Sequence, residues 1–269
     1  MKKEWKVLIT GGLLTLIITL SCIGGIEQSK KIETNSGVAL SNTTIGWGIK
    51  RNDNHEQPDL GTKNKELISK YNGMAMGNPD KNYIYLTFDL GYEAGYTASI
   101  LDSLKNEGVT ATFFITAHYL NTASDLVERM INEGHIVGNH TVNHKSMPNL
   151  SDDEMKKEIM QLNQSLNEKF GYEMKYLRPP KGEFSERSLS IIDSLGFKTV
   201  MWSFAYVDWN EDSQPSSSEA IKMITSNLHN GEIILLHATS KTNAEIMSQM
   251  IQETKNQGYE FKSLNEFIE

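Results

Sequence analysis

From residue 83 onward, short apolar runs alternate with longer stretches in which apolar residues recur every three or four positions. The apolar runs predict strands at 83–89, 111–116, 135–139, 176–178, 198–202 and 233–237. The longer stretches predict helices at 94–107, 124–133, 151–170, 185–195, 216–228 and 244–257. This alternation predicts an α/β fold in which helices cover a parallel sheet, either as a barrel or as a doubly wound sheet.

Local capping residues support these helices. Ser151 with Glu154, and Ser216 with Glu219, have the spacing of a capping box, which satisfies the first free amides of a helix. Glycines that suit a left-handed helix end follow several of the helical stretches, at Gly108, Gly134, Gly171, Gly196 and Gly258. We therefore assign the sheet domain to residues 83–269.

The first 25 residues have a different pattern, in which lysines precede an uncharged apolar run. Lys2, Lys3 and Lys6 come before residues 7–23, a run at the short end of what spans a bilayer. The pattern predicts that 1–25 is a signal peptide or an uncleaved membrane anchor and that the rest of the chain is exported. Cys22 is interpreted as an ordinary apolar residue of this segment in preference to a lipidation site.

Residues 26–82 are polar and show little periodicity, with scattered Ser, Thr, Asn and Lys. We interpret them as a linker or arm. Within this arm, 46–51 and 67–71 are the candidates for packing against the sheet domain.

The composition narrows the chemistry that the chain can perform. A chain of 269 residues with 38% hydrophobic residues can bury a sizeable core. The net charge of -8 argues against nucleic-acid binding, which needs a basic surface. Cys22 is the single cysteine and lies in the predicted leader, which excludes an internal disulfide, a multi-cysteine zinc site and a cysteine nucleophile.

Ionisable residues stand at the carboxyl ends of most of the predicted strands. In a parallel α/β fold those ends share one rim, which is where sites are built. A single carboxylate at a strand end is often only a helix cap, but several positions together favour a functional site. The residues are Asp89, His140, Arg178, Asp208 with Trp209 beside it, and His237.

His140 and His144 are the strongest local signal for a metal site. Four positions apart, they would share one face of a helical turn, so that both imidazoles reach one divalent cation. The alternative is two solvated or core histidines at this spacing by chance, since the chain has seven histidines. Their position after a predicted strand favours the metal site.

Asp89 ends a strand before a glycine turn, a place suited to deprotonate a bound water. Arg178 is a candidate to hold that carboxylate ionised, and His237 with Asp208 is a candidate general acid. The alternatives are a structural salt bridge for Arg178 and a buried core position for His237. The sequence contains no nucleophile elbow, His-Glu-x-x-His motif, Walker A loop or dinucleotide fingerprint.

Five motifs together resemble the polysaccharide deacetylases of the NodB-homology type, carbohydrate esterase family four, over about 83–268. In chain order they are Thr87-Phe88-Asp89, His140-Thr141-Val142-Asn143-His144, Arg178-Pro179-Pro180-Lys181-Gly182, Asp208-Trp209 and Leu235-Leu236-His237. The longer strings at 88–97 and 177–187, and the segment 47–51, resemble one branch of that family. This branch is the delta-lactam-biosynthetic de-N-acetylases, which act on muramic acid in the peptidoglycan of the spore cortex.

The resemblance implies a distorted (β/α) barrel that removes acetyl groups from an N-acetylated sugar of peptidoglycan strands. It implies that Asp89 is the water-activating base, tuned by Arg178, and that His237 protonates the leaving amine, tuned by Asp208. Residues that the resemblance places against the sugar are Pro179, Pro180, Gly182 and Trp209. The implied enzyme is an extracytoplasmic monomer that contacts the membrane only through its amino-terminal segment.

The resemblance also implies a divalent metal ion, zinc before others, on His140 and His144. The wider family has a second Asp directly after the base as third ligand, but this chain has Leu90, which cannot ligate a cation. Either metal binding is weak, or an oxygen of Glu93 or Asp89 takes that place. A further departure is Lys181, where many relatives carry an aromatic residue, and it affects the expected sugar subsite.

Two other functions are compatible with the sequence. One is a deacetylase of N-acetylglucosamine in peptidoglycan or in chitin-like oligomers. The other is a non-catalytic glycan-binding module that lost its metal with Leu90. An enzyme is favoured because Asp89, Arg178, Asp208 and His237 would be free to change in a pure binding module.

Overall fold

The computed structural model describes residues 39–269. The signal peptide or anchor predicted at 1–25, and the beginning of the predicted arm, lie outside the described residues. Among the helices of residues 39–269, none combines the length and the apolar character that crossing a bilayer requires.

One parallel sheet organises the described part of the chain. The strands are β1 (Ile45–Gly46), β2 (Tyr83–Leu90), β3 (Thr112–Ile115), β4 (Ile136–Asn139), β5 (Tyr176–Leu177), β6 (Glu183–Phe184), β7 (Lys198–Thr199), β8 (Phe204–Ala205), β9 (Glu232–His237) and β10 (Glu260–Phe261). The spatial order is β7-β5-β4-β3-β2-β9-β8, and β10 also pairs with β2. All pairings in this sheet are parallel, whereas β1 and β6 form a separate antiparallel pair.

The sheet curls toward a barrel. The strands β7 and β8 lie at opposite ends of the strand order, yet only residues 200–203 connect them. Because the five steps from Thr199 to Phe204 span at most about 18 Å, the two edges of the sheet must approach each other. The prediction of a distorted α/β barrel is confirmed, while the strand predicted at 198–202 ends at Thr199 because the chain crosses there to the other edge.

The strand register brings the predicted polar residues to one rim. Asp89 of β2 is the register partner of His237 of β9. The last residues of β4 and β5 pair in the same way, so His140 and Arg178, which follow them, lie side by side. Asp89, His140, Arg178 and His237 thus lie at the carboxyl ends of β2, β4, β5 and β9, which all belong to this sheet.

Helices connect and cover these strands. They are α1 (Thr62–Lys70), α2 (Thr97–Glu107), α3 (Ala117–Thr122), α4 (Ser124–Asn132), α5 (Asp152–Phe170), α6 (Glu186–Ser194), α7 (Ser217–Thr225) and α8 (Lys241–Asn256). Both predicted capping boxes are present, at Ser151 and Ser216. Helix α2 begins at Thr97, later than predicted, because the Glu93 carboxylate accepts hydrogen bonds from the amides of Gly95 and Thr97.

The two faces of β2 enter different cores. Side chains on successive residues of a strand point to opposite faces. The main core, which β2 shares with helices such as α2 and α8, takes Ile84, Leu86, Phe88 and Leu90. A second core contains Tyr85 together with Phe114 and Ile233 from the adjoining strands. Asp89 lies between Phe88 and Leu90 and therefore points away from the main core.

Residues 40–82 belong to the same compact unit as the sheet, which differs from the predicted linker or arm over 26–82. Leu60, Ile68 and Ala75 are buried in a third cluster that also contains Phe184. The amide of Met74 donates to the carbonyl of Thr199 at 2.7 Å, which adds a bridge at the sheet edge. The two segments expected to pack, 46–51 and 67–71, contribute Trp47, Ile49, Leu67 and Tyr71 to the third cluster.

Candidate active site

A buried ion pair between Asp89 and Arg178 lies at the bottom of the site. The Arg178 guanidinium is inaccessible to solvent and donates from Nη1 to Oδ1 of Asp89 at 2.9 Å. Its other nitrogens donate to the carbonyls of Val200 at 3.0 Å and Met201 at 3.2 Å. The guanidinium also lies over the ring of Phe114, at 4.4 Å from the ring centre. These contacts hold Arg178, and through it Asp89, in one orientation.

The electrostatics keep Asp89 ionised. Burial by itself raises the pKa of this carboxyl, but the opposing charge of Arg178, helped by His140 and His237, outweighs burial. The net result is a pKa below the usual value of 3.8. Asp89 is only 8% exposed, so its ionised carboxylate is largely shielded from bulk solvent.

His140 and His144 come together on a loop, and the helical turn expected from their spacing is wrong. Residues 140–146 have no helical hydrogen bonding, and Thr141 and His144 have positive φ angles of 68° and 54°. This path places Nε2 of His144 at 3.1 Å from Nε2 of His140. The loop is held from below by Glu158 of α5, whose carboxylate accepts hydrogen bonds from the backbone and side-chain amides of Asn143, both at 2.7 Å.

Glu158 is a site residue that sequence reasoning missed. It is only 6% exposed, and its backbone carbonyl also accepts from the amide of Val142 at 3.1 Å. Asn139 adds a second support, since its Oδ1 accepts from the amide of Thr141 at 2.9 Å. A glutamate within a charged helix gives no sequence signal of such a contact, because the loop and the helix meet only in the folded chain.

The histidine pair can supply two nitrogen ligands to a divalent cation. Nδ1 of His140 donates to the carbonyl of Arg178 at 2.8 Å, which leaves the lone pair of Nε2 pointing at His144. Burial lowers the pKa of His144 and lowers that of His140 to about 4, so both rings are neutral at pH 7. Two nitrogen lone pairs at this distance repel each other unless a proton or a cation lies between them.

Oxygen ligands are scarcer around this pair. Oδ2 of Asp89 is 3.5 Å from Nε2 of His140 and is the carboxylate oxygen near the pair. Leu90 is fully buried in the main core. The Glu93 carboxylate already accepts hydrogen bonds from Gly95, Thr97 and Tyr119, so Asp89 is the better candidate for an oxygen ligand of the cation. Within residues 39–269, no cluster of three or more His, Cys, Asp or Glu side chains makes a complete cation site.

His237 and Asp208 form a second pair at the rim, in which Asp208 is fully buried and His237 is partly exposed. Nδ1 of His237 donates to Oδ1 of Asp208 at 2.7 Å, and the His237 amide donates to Oδ2 at 2.7 Å. Burial lowers the pKa of His237, but the hydrogen bond and charge of Asp208 outweigh it and hold the pKa above 6.5. Asn243 of α8, which the sequence analysis did not identify, donates to Oδ2 of Asp208 at 2.6 Å.

A cavity of about 1010 Å³ joins these groups. Of the predicted residues, those that line it are Asp89, His140, His144, His237, Gly182 and Trp209. Arg178 and Asp208 lie behind Asp89 and His237 and are fully buried. Pro179 and Pro180 are buried and do not line the cavity, which differs from the predicted contact with the sugar. Other lining residues include Tyr92, His118, Asn143, Lys181 and Trp202.

The two prolines instead shape a tight turn at the cavity wall. The amide of Gly182 donates to the carbonyl of Pro179 at 3.2 Å, and Lys181 has φ 61° and ψ 6°, as in the third position of a type II turn. Gly182 also has a positive φ of 66°, and a Cβ there would lie 2.7 Å from the Trp202 ring. The turn therefore needs glycine at 182 and presents the side chain at 181.

Comparison with known proteins agrees with this geometry. The Polysaccharide deacetylase family matches residues 76–200. Bacillus subtilis PdaA, a peptidoglycan-N-acetylmuramic acid deacetylase, is 42% identical over 231 residues, or 86% of this chain and 88% of the relative. The chain belongs to the polysaccharide deacetylases. Among solved structures, that of B. subtilis PdaA, a family 4 carbohydrate esterase, is similar with a TM-score of 0.82 at 41% identity, covering 85% of this chain and 98% of that one.

A second group of polysaccharide deacetylases is also similar. A Bacillus cereus peptidoglycan-N-acetylglucosamine deacetylase is 32% identical over 201 residues, which cover 73% of this chain and 72% of the relative. The resemblance found in the five sequence motifs is confirmed, and so is the prediction of an enzyme, since the deacetylases of this family are hydrolases of amide bonds. The first and last motifs of this polysaccharide deacetylase, at Thr87-Phe88-Asp89 and Leu235-Leu236-His237, are far apart in the chain but pair in register at one rim.

Proposed function

We propose that the protein removes the N-acetyl group from N-acetylmuramic acid in peptidoglycan. One observation carries this proposal: an ionised carboxylate, Asp89, and a histidine with raised pKa, His237, are register partners that face one cavity beside the imidazole pair. Amide hydrolysis needs one group that accepts a proton from water and one that gives a proton to the leaving amine. The pairs Asp89–Arg178 and His237–Asp208 supply one group of each kind.

In the first half of the reaction, Asp89 accepts a proton from a water molecule while the water oxygen attacks the acetyl carbonyl carbon. Arg178 keeps the carboxylate oriented toward the cavity through its hydrogen bond at 2.9 Å. His140 and His144 would hold a divalent ion, and Lewis-acid polarisation of the acetyl carbonyl is the chemistry that a bound ion supplies there. Neutral imidazoles suit zinc, and the absence of a carboxylate at Leu90 makes the binding weak.

In the second half, the bond between the carbonyl carbon and the sugar nitrogen breaks. His237 gives its proton to that nitrogen, so acetate and the amine of the sugar are the products. Asp208 stabilises the protonated ring before the transfer and fixes which nitrogen faces the cavity, since Nδ1 is bound to Asp208. Trp209, edge-on to His237 at 5.6 Å between ring centres and 53% exposed, offers an aromatic surface to the sugar ring.

The choice of muramic acid rests on the relatives. PdaA, named for N-acetylmuramic acid, is 42% identical, whereas the B. cereus enzyme named for N-acetylglucosamine is 32% identical. A muramic acid freed of its acetyl group can close a delta-lactam through its lactyl carboxyl, and we propose, from the resemblance to the delta-lactam branch, that the reaction belongs to spore-cortex formation. We further propose that the protein acts outside the cytoplasm as a monomer, delivered by residues 1–25 as a signal peptide or anchor.

Acetate release from purified peptidoglycan, followed by mass spectrometry of the digested glycan, tests this function. We expect amine on muramic acid, and faster release after an amidase has removed the peptide stems, because lactam closure needs a free lactyl carboxyl. Amine on glucosamine alone would assign the other deacetylase function. Absence of acetate release with zinc supplied would instead indicate a glycan-binding module.

A further inference from the structure

Lys181 brings a positive charge to the wall of the catalytic cavity. Among the cavity-lining residues of the described chain it is the one lysine or arginine, and its side chain is exposed. It takes part in none of the ion pairs found within residues 39–269. The other cation of this region, Arg178, is buried and bound to Asp89. Lys181 is therefore the cation available to a bound molecule.

Lys181 lines the same cavity as the reacting groups. Asp89, His144 and His237 belong to the wall of this cavity together with Lys181. The charge thus lies within reach of a substituent on the same sugar ring whose acetyl group meets the histidines.

The backbone conformation at Lys181 indicates that this side chain has a role other than stabilising the fold. Its φ of 61° is the third position of a type II turn, where glycine or asparagine is favoured. A side chain with a Cβ is strained there, and strain of this kind is found where a residue serves a binding site. Gly182, the next residue, shows that the chain does use glycine where space demands it.

Muramic acid differs from glucosamine by one group, the lactyl ether, whose carboxyl is an amide while the peptide stem is attached and a free carboxylate after the stem is removed. We propose that Lys181 binds this free lactyl carboxylate and thereby selects stem-free muramic acid over both glucosamine and stem-bearing strands. The inference rests on the proposed function. A protein with a net charge of -8 repels an anionic sugar, so a local cation at the cavity is needed to offset that repulsion.

The test compares two substrates that differ only at the lactyl carboxyl. One is amidase-treated glycan with free lactyl carboxylates, and the other is the same glycan with these groups converted to methyl esters. The ratio of kcat/KM for the two is measured for the parent, Lys181→Gln, Lys181→Arg and Lys181→Gly. Lys198→Gln, which removes an exposed lysine at the amino end of β7, is the matched control for loss of one charge.

We expect the parent and Lys198→Gln to prefer the free acid by roughly tenfold, as for a charge-assisted hydrogen bond. Lys181→Gln and Lys181→Gly should lose this preference, mainly through KM, and Lys181→Arg should keep it. Because Lys181→Gly relieves the strain of the turn, its melting temperature should be unchanged or higher, and a lost preference in this variant would separate substrate binding from folding. A preference that survives in Lys181→Gln overturns the inference.

The same measurements separate this inference from the proposed function. Equal parent rates on acid and ester, with amine found on muramic acid, would refute the role of Lys181 and leave the function standing. Amine found on glucosamine alone, in both substrates, would refute the proposed function and the role of Lys181 with it.

Discussion

The pair of His237 and Asp208 gives the sharpest test of the mechanism, through the substitution Asp208→Asn. Asp208 accepts three hydrogen bonds, from Nδ1 and the amide of His237 and from Asn243, and it is fully buried. Asparagine has the same shape but no charge, and its amide nitrogen cannot accept. The substitution removes the contribution that holds the pKa of His237 above 6.5 and leaves burial, which lowers it.

The sign of the expected effect follows from the role of His237 as proton donor. The parent rate stays high above pH 6.5 and falls as the pH rises through the raised pKa of His237. In Asp208→Asn the ring loses its proton below pH 6.5, so the fall begins at lower pH. A hydrogen bond to a charged group contributes about 1.5–3 kcal/mol, which corresponds to a loss of roughly ten- to hundredfold in rate on the alkaline side.

The assay is the initial rate of acetate release with saturating zinc between about pH 5 and about pH 9, a range that spans the reference pKa of histidine. Tyr206→Phe is the matched control, because Tyr206 is hydrogen bonded to Asn243 and its loss leaves the Asp208 charge in place. The alkaline limb should move in Asp208→Asn and stay in Tyr206→Phe. An alkaline limb at the same pH in Asp208→Asn and the parent would refute the role of His237 as general acid.

Three further predictions concern the base, the metal and the buried Glu232. Asp89→Asn should lower acetate release by roughly a hundredfold or more and lower the melting temperature, because Arg178 loses its partner; near-parental rates in the folded variant would contradict this. The protein should purify with less than one metal ion per chain, lose activity quickly to a chelator and regain it with zinc, as Leu90 supplies no ligand; tight one-to-one binding in calorimetry would contradict it. Burial raises the pKa of Glu232 well above 4.5, so its stabilising contribution is complete below pH 4.5 and is lost as the pH rises toward the folded-state pKa. Glu232→Gln should therefore raise the free energy of unfolding at pH 8 by about 1–3 kcal/mol, and less at pH 5, in urea titrations; an equal gain at both pH values would show that charge is not the cause.

Much of the fold follows from local pattern. The apolar runs and the capping boxes at Ser151 and Ser216 predict most of the strands and helices, because each depends on neighbours within a few positions. The polar residues after the strands could be placed on one rim without knowledge of packing, since parallel strands end at the same edge. For this reason the sequence predicts Asp89 and His237 on one rim, where they are register partners.

The supporting residues could not be found in this way. Glu158 holds the loop of the two histidines from 15 positions away, and Asn243 holds Asp208 from 35 positions away. Both lie in helices whose sequence shows only ordinary polar positions. Contacts of this kind depend on how a helix docks on the sheet, which is settled by the sum of many small packing interactions.

The order of strands and helices along the chain, the motif residues and the family can all be predicted from the sequence, because each is encoded in short segments. Only the folded chain shows that Leu60, Ile68 and Ala75 are buried, that Pro179 and Pro180 are buried, and that Lys181 lines the cavity. The physical reason is that burial and the direction of a side chain depend on residues distant in the chain. Local pattern fixes which residues can act, and packing fixes which of them meet.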